Sequence, residues 1–148
     1  MSVFSCLNIS ATGMTAQRLR TDIIAQNIAN VNTTRTANGG AYVRKTVVFG
    51  EKTSGGFQTA LSNAMKGNNA GAGVKVIAIR EDKESAMKRV SEPANPDADE
   101  EGYVTYPNVD TVTEMTNMID ASRAYEANVT AFNATKSMAL KGLEVGSK

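Results

Sequence analysis

The sequence has no histidine and no tryptophan, one cysteine, three prolines, and only four phenylalanines and four tyrosines in 148 residues. Without histidine the chain lacks the commonest general base and the commonest metal ligand at neutral pH. The single Cys6 excludes an internal disulfide and a cysteine-based zinc site. With no histidine to activate it, its thiol reads as a small apolar side chain in an apolar stretch. Aromatics make up 5% of a chain that is 41% apolar, so a core must come from Val, Ile, Leu, Met and Ala, which favours packed helices over an aromatic-rich β-sandwich. No apolar run is long enough to cross a bilayer, which excludes direct membrane insertion. The first ten residues also lack the basic start and apolar core of a secretory signal, so departure from the cytoplasm needs another route.

What is present is a single domain's worth of residues whose net charge of +1 gives no general attraction to nucleic acid. The charge is unevenly spread. Residues 1–74 carry seven Lys/Arg and two acids, a balance of +5, whereas residues 75–148 carry nine and thirteen, a balance of −4. Such a chain can attract its own other half or a second copy.

Three regions follow. Residues 1–35 read as a helix over about 3–32 with apolar rows on several faces: Phe4, Leu7, Ala11 and Met14 at heptad spacing, then Ile9, Ala16, Leu19 and Ile23, then Ile24, Ile28 and Val31. A helix apolar on several faces is one touched from several sides. Residues 108–148 hold a second helix over about 110–144, opened by the capping candidates Asn108, Asp110 and Thr111, with Thr111 and Glu114 spaced as a capping box. One row is Val112, Met115 and Ile119, and another is Met118, Ala121, Tyr125 and Phe132. A seam of small residues, Ala124, Ala127, Ala131 and Ala134, leads to Met138. At about 1.5 Å per residue this helix is roughly 50 Å long, more than so small a chain covers.

Residues 36–107 form an insert with β-rich runs at 42–49 and 74–79. Glycine-rich loops (Gly55-Gly56 and 67–73) separate them, and an extended, proline-containing stretch follows over 93–102. The 67–73 loop is not followed by the Gly-Lys-Ser/Thr of a phosphate cradle. Asp97, Asp99, Glu101 and Gly102 match the first positions of an EF-hand, but Asn108 stands where a bidentate Glu is needed and Pro93 and Pro96 interrupt the entering helix. These carboxylates read as solvated, so no cofactor, metal or catalytic constellation is expected. Arg18, Arg20 and Arg123 read as partners of Asp22 and Glu126 in surface ion pairs. The amides Asn27, Asn30, Asn128 and Asn133 suit hydrogen bonding across an interface without burying charge.

The run Gly13–Thr34, and within it Asn27-Ile-Ala-Asn30-Val-Asn32-Thr33, resembles the N-terminal signature of the flagellar rod and hook family. Residues 106–110, 114–119 and 121–129 are similar to that family's C-terminal helix. The segment 93–99 leading into Gly102-Tyr103-Val104 narrows the likeness to its proximal-rod branch, although Ser91-Glu92 and Asn95 depart from the usual pattern there.

The resemblance implies a mainly α fold in which the long terminal helices pair as an antiparallel coiled coil, with the small β-containing insert outside. It also implies a structural subunit of the rod, exported uncleaved through the flagellar type III apparatus and placed in the basal body across the periplasmic space. Expected partners are copies of itself, other rod proteins, the rod-base adaptor to the MS ring and the export apparatus. A distal-rod or hook subunit is the nearest rival, and a helical export chaperone a more distant one.

The residues expected to carry helix packing in assembly are Phe4, Leu7, Met14, Leu19, Ile23, Asn27, Ile28, Asn30, Met115, Met118, Ile119, Tyr125, Asn128, Val129 and Phe132. Since one chain cannot hide all these faces, an isolated copy is expected to keep its ends largely disordered until it joins a rod.

Overall fold

A computed structural model of the chain describes residues 3–37, 39–52 and 72–146, together with Leu61 and Met65. The expected glycine-rich loops over 55–56 and 67–71 lie outside these residues. Two long helices, α1 (Val3–Ala29) and α2 (Thr111–Gly146), flank four short strands: β1 (Lys45–Glu51), β2 (Val74–Glu81), β3 (Lys88–Ser91) and β4 (Tyr103–Tyr106). The strands form two separate antiparallel pairs, β1 with β2 and β3 with β4.

The helices lie side by side and run in opposite directions. Asn27 of α1 hydrogen-bonds Glu114 of α2, and fourteen residues earlier Gly13 meets Asn128, fourteen residues later. A Cβ added at Gly13 would stand 2.6 Å from Asn128 Oδ1, so the absence of a side chain is what permits this approach. Asn128 itself turns its Nδ2 back to the Ala124 carbonyl at 2.8 Å.

The β1–β2 ribbon covers another side of α1. Along β2, Val74, Val76 and Ala78 are half-buried while Lys75, Ile77 and Ile79 are exposed, the alternation of a strand with one face on a core. Val74 N–H donates to Thr12 Oγ1 at 3.2 Å, fastening the ribbon to the helix. Register slips at Val48/Phe49, where a bulge bends β1. Among the described residues the buried apolar side chains are Ala16, Ile23, Ile24, Ala41, Tyr42, Val104 and Ala121.

The second ribbon corrects the reading of 93–102 as extended. Successive turns fold this stretch back on itself: Asn95 N–H bonds Glu92 O, Ala98 N–H bonds Asn95 O, and Glu92 N–H bonds Gly102 O at 3.0 Å. Asp99 Oδ1 accepts from the Glu101 and Tyr103 amides. Gly102 has φ +78°, which L side chains rarely adopt, and lies against Pro93. Four-residue strands have too little alternation to register as a sequence pattern. Their signal was in the Asp-x-x-Gly turn instead.

Replacing Gly13 with Leu should separate the helices, because a branched side chain cannot share that space with Asn128. Far-UV circular dichroism during thermal melting should show a lower midpoint and a broader transition. Gly13→Ala should be mild, since about 1 kcal/mol of helix propensity offsets a small displacement of the Asn128 amide.

Candidate functional site: a buried polar junction and uncovered helix faces

Glu114 and Asn27 are each 1% exposed, the most enclosed polar side chains among the described residues. Asn27 sits near the end of α1, where every hydrogen-bonding atom of its amide is used. Its Nδ2 donates to Lys45 O at 2.8 Å and to Glu114 Oε2 at 2.9 Å, while its Oδ1 accepts from Tyr42 Oη at 2.9 Å and Lys45 N–H at 3.0 Å. A carboxylate enclosed this fully needs a cation. Arg44 supplies it, donating through Nε at 2.9 Å and a terminal nitrogen at 2.7 Å to Glu114 Oε1. Asn117 Nδ2 adds a longer bond to the same oxygen at 3.3 Å.

Arg44 is itself held. Its amide donates to Asn108 Oδ1 at 2.9 Å, and its guanidinium lies 3.5 Å from Asp82. Asn108 then donates to Asp82 O at 2.7 Å. One network thus joins the end of α1, the 41–45 segment, the exit from β2 and the first turn of α2.

Burial raises the Tyr42 phenol above its usual range, with Glu114 and Glu81 adding to the effect, so it remains a donor at neutral pH. Asp82 is held below the ordinary carboxylate range chiefly by the Ser85 amide, Asp99 by the Tyr103 amide, and Asp110 by the Thr113 hydroxyl. Asp110 is the true N-cap of α2, accepting from Thr113 N–H at 3.0 Å and from the Thr113 hydroxyl. The capping box expected of Thr111 and Glu114 does not form, because Glu114 turns inward to Asn27 and Arg44.

The polar residues of the Asn27–Thr34 run serve the end of α1 in the same way. Asn30 Nδ2 bonds Gln26 O, Thr33 donates to Asn30 Oδ1, and Thr34 donates to Asp97 at 2.8 Å. Asp97 and Asp99 are engaged with Thr34, Arg35 and Arg89, and among the described residues no group of acids is arranged to hold a metal.

The expected packing residues divide into two sets. Ile23 and Asn27 are buried within the chain, and Leu7, Met14, Leu19, Ile28, Asn30, Met118, Asn128, Val129 and Phe132 are half-buried. Phe4, Met115, Ile119 and Tyr125 are exposed, Phe4 to 81%. Of the two rows read on α2, Met118, Ala121 and Phe132 lie in the more buried part of the helix, whereas Val112, Met115 and Ile119 stand in solvent. The row Phe4, Leu7, Ala11 and Met14 is not the buried face of α1, which is instead Ser10, Ala16, Ile23, Ile24 and Asn27. In the alanine seam only Ala124 is half-buried, and Ala127, Ala131 and Ala134 are exposed. No ion pair joins Arg18 or Arg20 to Asp22, or Arg123 to Glu126, among the described residues, which corrects that expectation.

Sequence reasoning missed Tyr42 as a partner of Asn27, Arg44 as the partner of Glu114, and Asn108 as the residue that holds the Arg44 amide. The available signal was a lone Glu114 on the same helix side as Ala121, an acid in an otherwise apolar register.

A groove of about 670 Å³ opens between the end of α1, the β3–β4 ribbon and the start of α2. It is lined by Lys88, Glu92, Tyr106 and Asp110 among others, and Glu92 is already bonded by Tyr106 and Asn95. No helix of the described residues is long and apolar enough to cross a membrane.

Asn27→Leu removes four hydrogen bonds at once and should lower stability by about 2–4 kcal/mol, read from chemical denaturation. The depressed aspartates contribute stability that is present above the unfolded-state value and lost as pH falls through their folded values. The melting midpoint should therefore hold steady from pH 7 to about 5 and decline below about 4.

Two family models match the chain: "Flagella basal body rod protein" over residues 7–35 and "Flagellar basal body rod FlgEFG protein C-terminal" over residues 100–145. The chain is 46% identical to the flagellar basal-body rod protein FlgC of Bacillus subtilis (strain 168), with 99% of each chain covered. It is 45% identical to that of Borreliella burgdorferi over 98% of each, and 38% identical to that of Salmonella typhimurium over 99% of each. Matches of this identity along the whole length show that the chain belongs to the flagellar basal-body rod protein family.

Proposed function

We propose that this chain is a structural subunit of the flagellar proximal rod, acting by assembly rather than by catalysis. Its terminal helices pair as an antiparallel coiled coil and polymerise with those of neighbours into the axial shaft that transmits torque and encloses the export channel. Relatives named FlgC match over nearly their whole length, which favours a proximal-rod subunit over a hook subunit with its additional domains.

The observation that carries this reading is the apolar helix surface that the chain leaves uncovered. Val112, Met115 and Ile119 make one exposed row at the start of α2. At its other end Met138, Leu140, Leu143 and Val145 are exposed as well. Continuing the pairing of Gly13 with Asn128 by ten residues puts Val3 beside residue 138, so 139–146 run past the start of α1 by about 12 Å. An exposed apolar row at the start of a helix and exposed apolar side chains on opposite sides of its last turns are surfaces that gain by being buried against other helices.

The partners that suit these surfaces are copies of the chain, other rod proteins and, at the base, the adaptor to the MS ring. The subunit reaches that place through the flagellar type III export apparatus without cleavage of a signal. The junction end of the helix pair is satisfied within one chain, whereas the far end, with Phe4 and the last turns of α2 exposed, is the part that orders on assembly.

Met115→Asp combined with Ile119→Asp places charge on the exposed row without touching the junction. In a host lacking the native chain, the variant should be exported yet be missing from isolated basal bodies, and cells should be non-motile. Its circular dichroism as a purified protein should match the parent. Normal incorporation and swimming would remove this row from the interface.

A further inference from the structure

We propose that the Arg44–Glu114 pair makes docking of the two terminal helices conditional on a folded insert. This rests on the reading of the chain as a rod subunit assembled through those helices, and it names what controls formation of the assembling unit. Glu114 belongs to α2 and is 1% exposed in the folded chain, enclosed by the helix pair together with the 44–45 segment, and the hydrogen bonds it receives from the helices come only from amides: Asn27 at 2.9 Å and Asn117 at 3.3 Å. The cation comes from outside, on the segment that leads into β1.

That segment is positioned by the insert. Asn108 and Asp82 hold Arg44 from one side. Asn27 holds the neighbouring Lys45 through both its N–H and its carbonyl, and Lys45 opens β1 opposite Glu81 of β2. With the β1–β2 ribbon unformed, Arg44 has no fixed position, and docking α2 on α1 would set the Glu114 carboxylate against Asn27 with no cation beside it. The two terminal helices, 87 residues apart at Asn27 and Glu114, therefore close only once the β1–β2 ribbon has formed. A chain still passing through an export channel as an extended polypeptide would keep its helices apart until the insert is complete.

The test uses the full-length purified chain and its Arg44→Met and Arg44→Met/Glu114→Met variants, with peptide-resolved hydrogen exchange and denaturant unfolding. In the parent, peptides from the junction end of α1 and α2 and from the β1–β2 ribbon should share one opening equilibrium. Arg44→Met should shift the unfolding equilibrium about a hundred-fold or more toward the open state, because it leaves Glu114 buried without its cation. The double variant should recover at least tenfold of that loss, and its helices and ribbon should then open with different equilibria.

An effect of Arg44→Met below tenfold would overturn the proposal. So would a double variant no more stable than the single one, a double variant that retains one shared opening, or a parent whose helices and ribbon already open independently. If Arg44→Met does not fold at all, the double variant decides. None of these readouts depends on incorporation into a rod, so failure here and failure of the Met115/Ile119 test are separate outcomes.

Discussion

A carboxylate buried on the first turns of a long helix has to be compensated, and the groups that compensate Glu114 tie α1, the 41–45 segment and the exit from β2 to α2. Its two oxygens are met by Asn27 from α1 and by Arg44 from the insert. Through Asn27 the contact extends to Tyr42 and the Lys45 backbone, and through Arg44 to Asn108 and Asp82. Among the described residues the buried apolar set is rich in alanine. Directional hydrogen bonds at one end of the helix pair fix register, and close approach at Gly13 carries that register along the pair. Buried polar networks are costly to leave incomplete, which is what gives this one its power to specify a single arrangement.

The two ends of the helix pair differ in kind. At the junction end, polar groups are satisfied and apolar side chains such as Ile23, Ile24 and Ala121 are covered by the same chain. Toward the far end the helices diverge in length and apolar side chains face solvent. Even beside the junction, the outer row of Val112, Met115 and Ile119 is left open. The junction defines such a subunit as a unit, and the open surfaces are the ones proposed to join it to others. That division fits a structural subunit of the flagellar basal-body rod.

Much of this was legible in the sequence. Helical periodicity placed α1 and α2 within a few residues of their ends, and the β-rich runs at 42–49 and 74–79 fell on β1 and β2. Periodicity could not say which of several apolar rows faces inward. The heptad row that starts at Phe4 is the stronger pattern, yet Ile23, Ile24 and Asn27 are the residues enclosed, because the ribbon as well as α2 packs on α1. The β3–β4 ribbon escaped notice because its strands are four residues long and its turn is built from side-chain acceptors and a positive-φ glycine. The spacing of Glu114 to Thr111 fits a capping box. Only the fold reveals that Asp110 caps the helix and frees Glu114 to turn inward.

The central claim is that one end of the helix pair is complete within a single chain and the other is completed by neighbours. Residue-resolved hydrogen exchange on the purified monomer and on isolated basal bodies addresses it directly. The account predicts slow exchange over 16–29 and 111–124 in both samples, with 3–9 and 132–146 fast in the monomer and slow in the rod. Equal protection of the far end in the free monomer, or rapid exchange at the junction end, would contradict it.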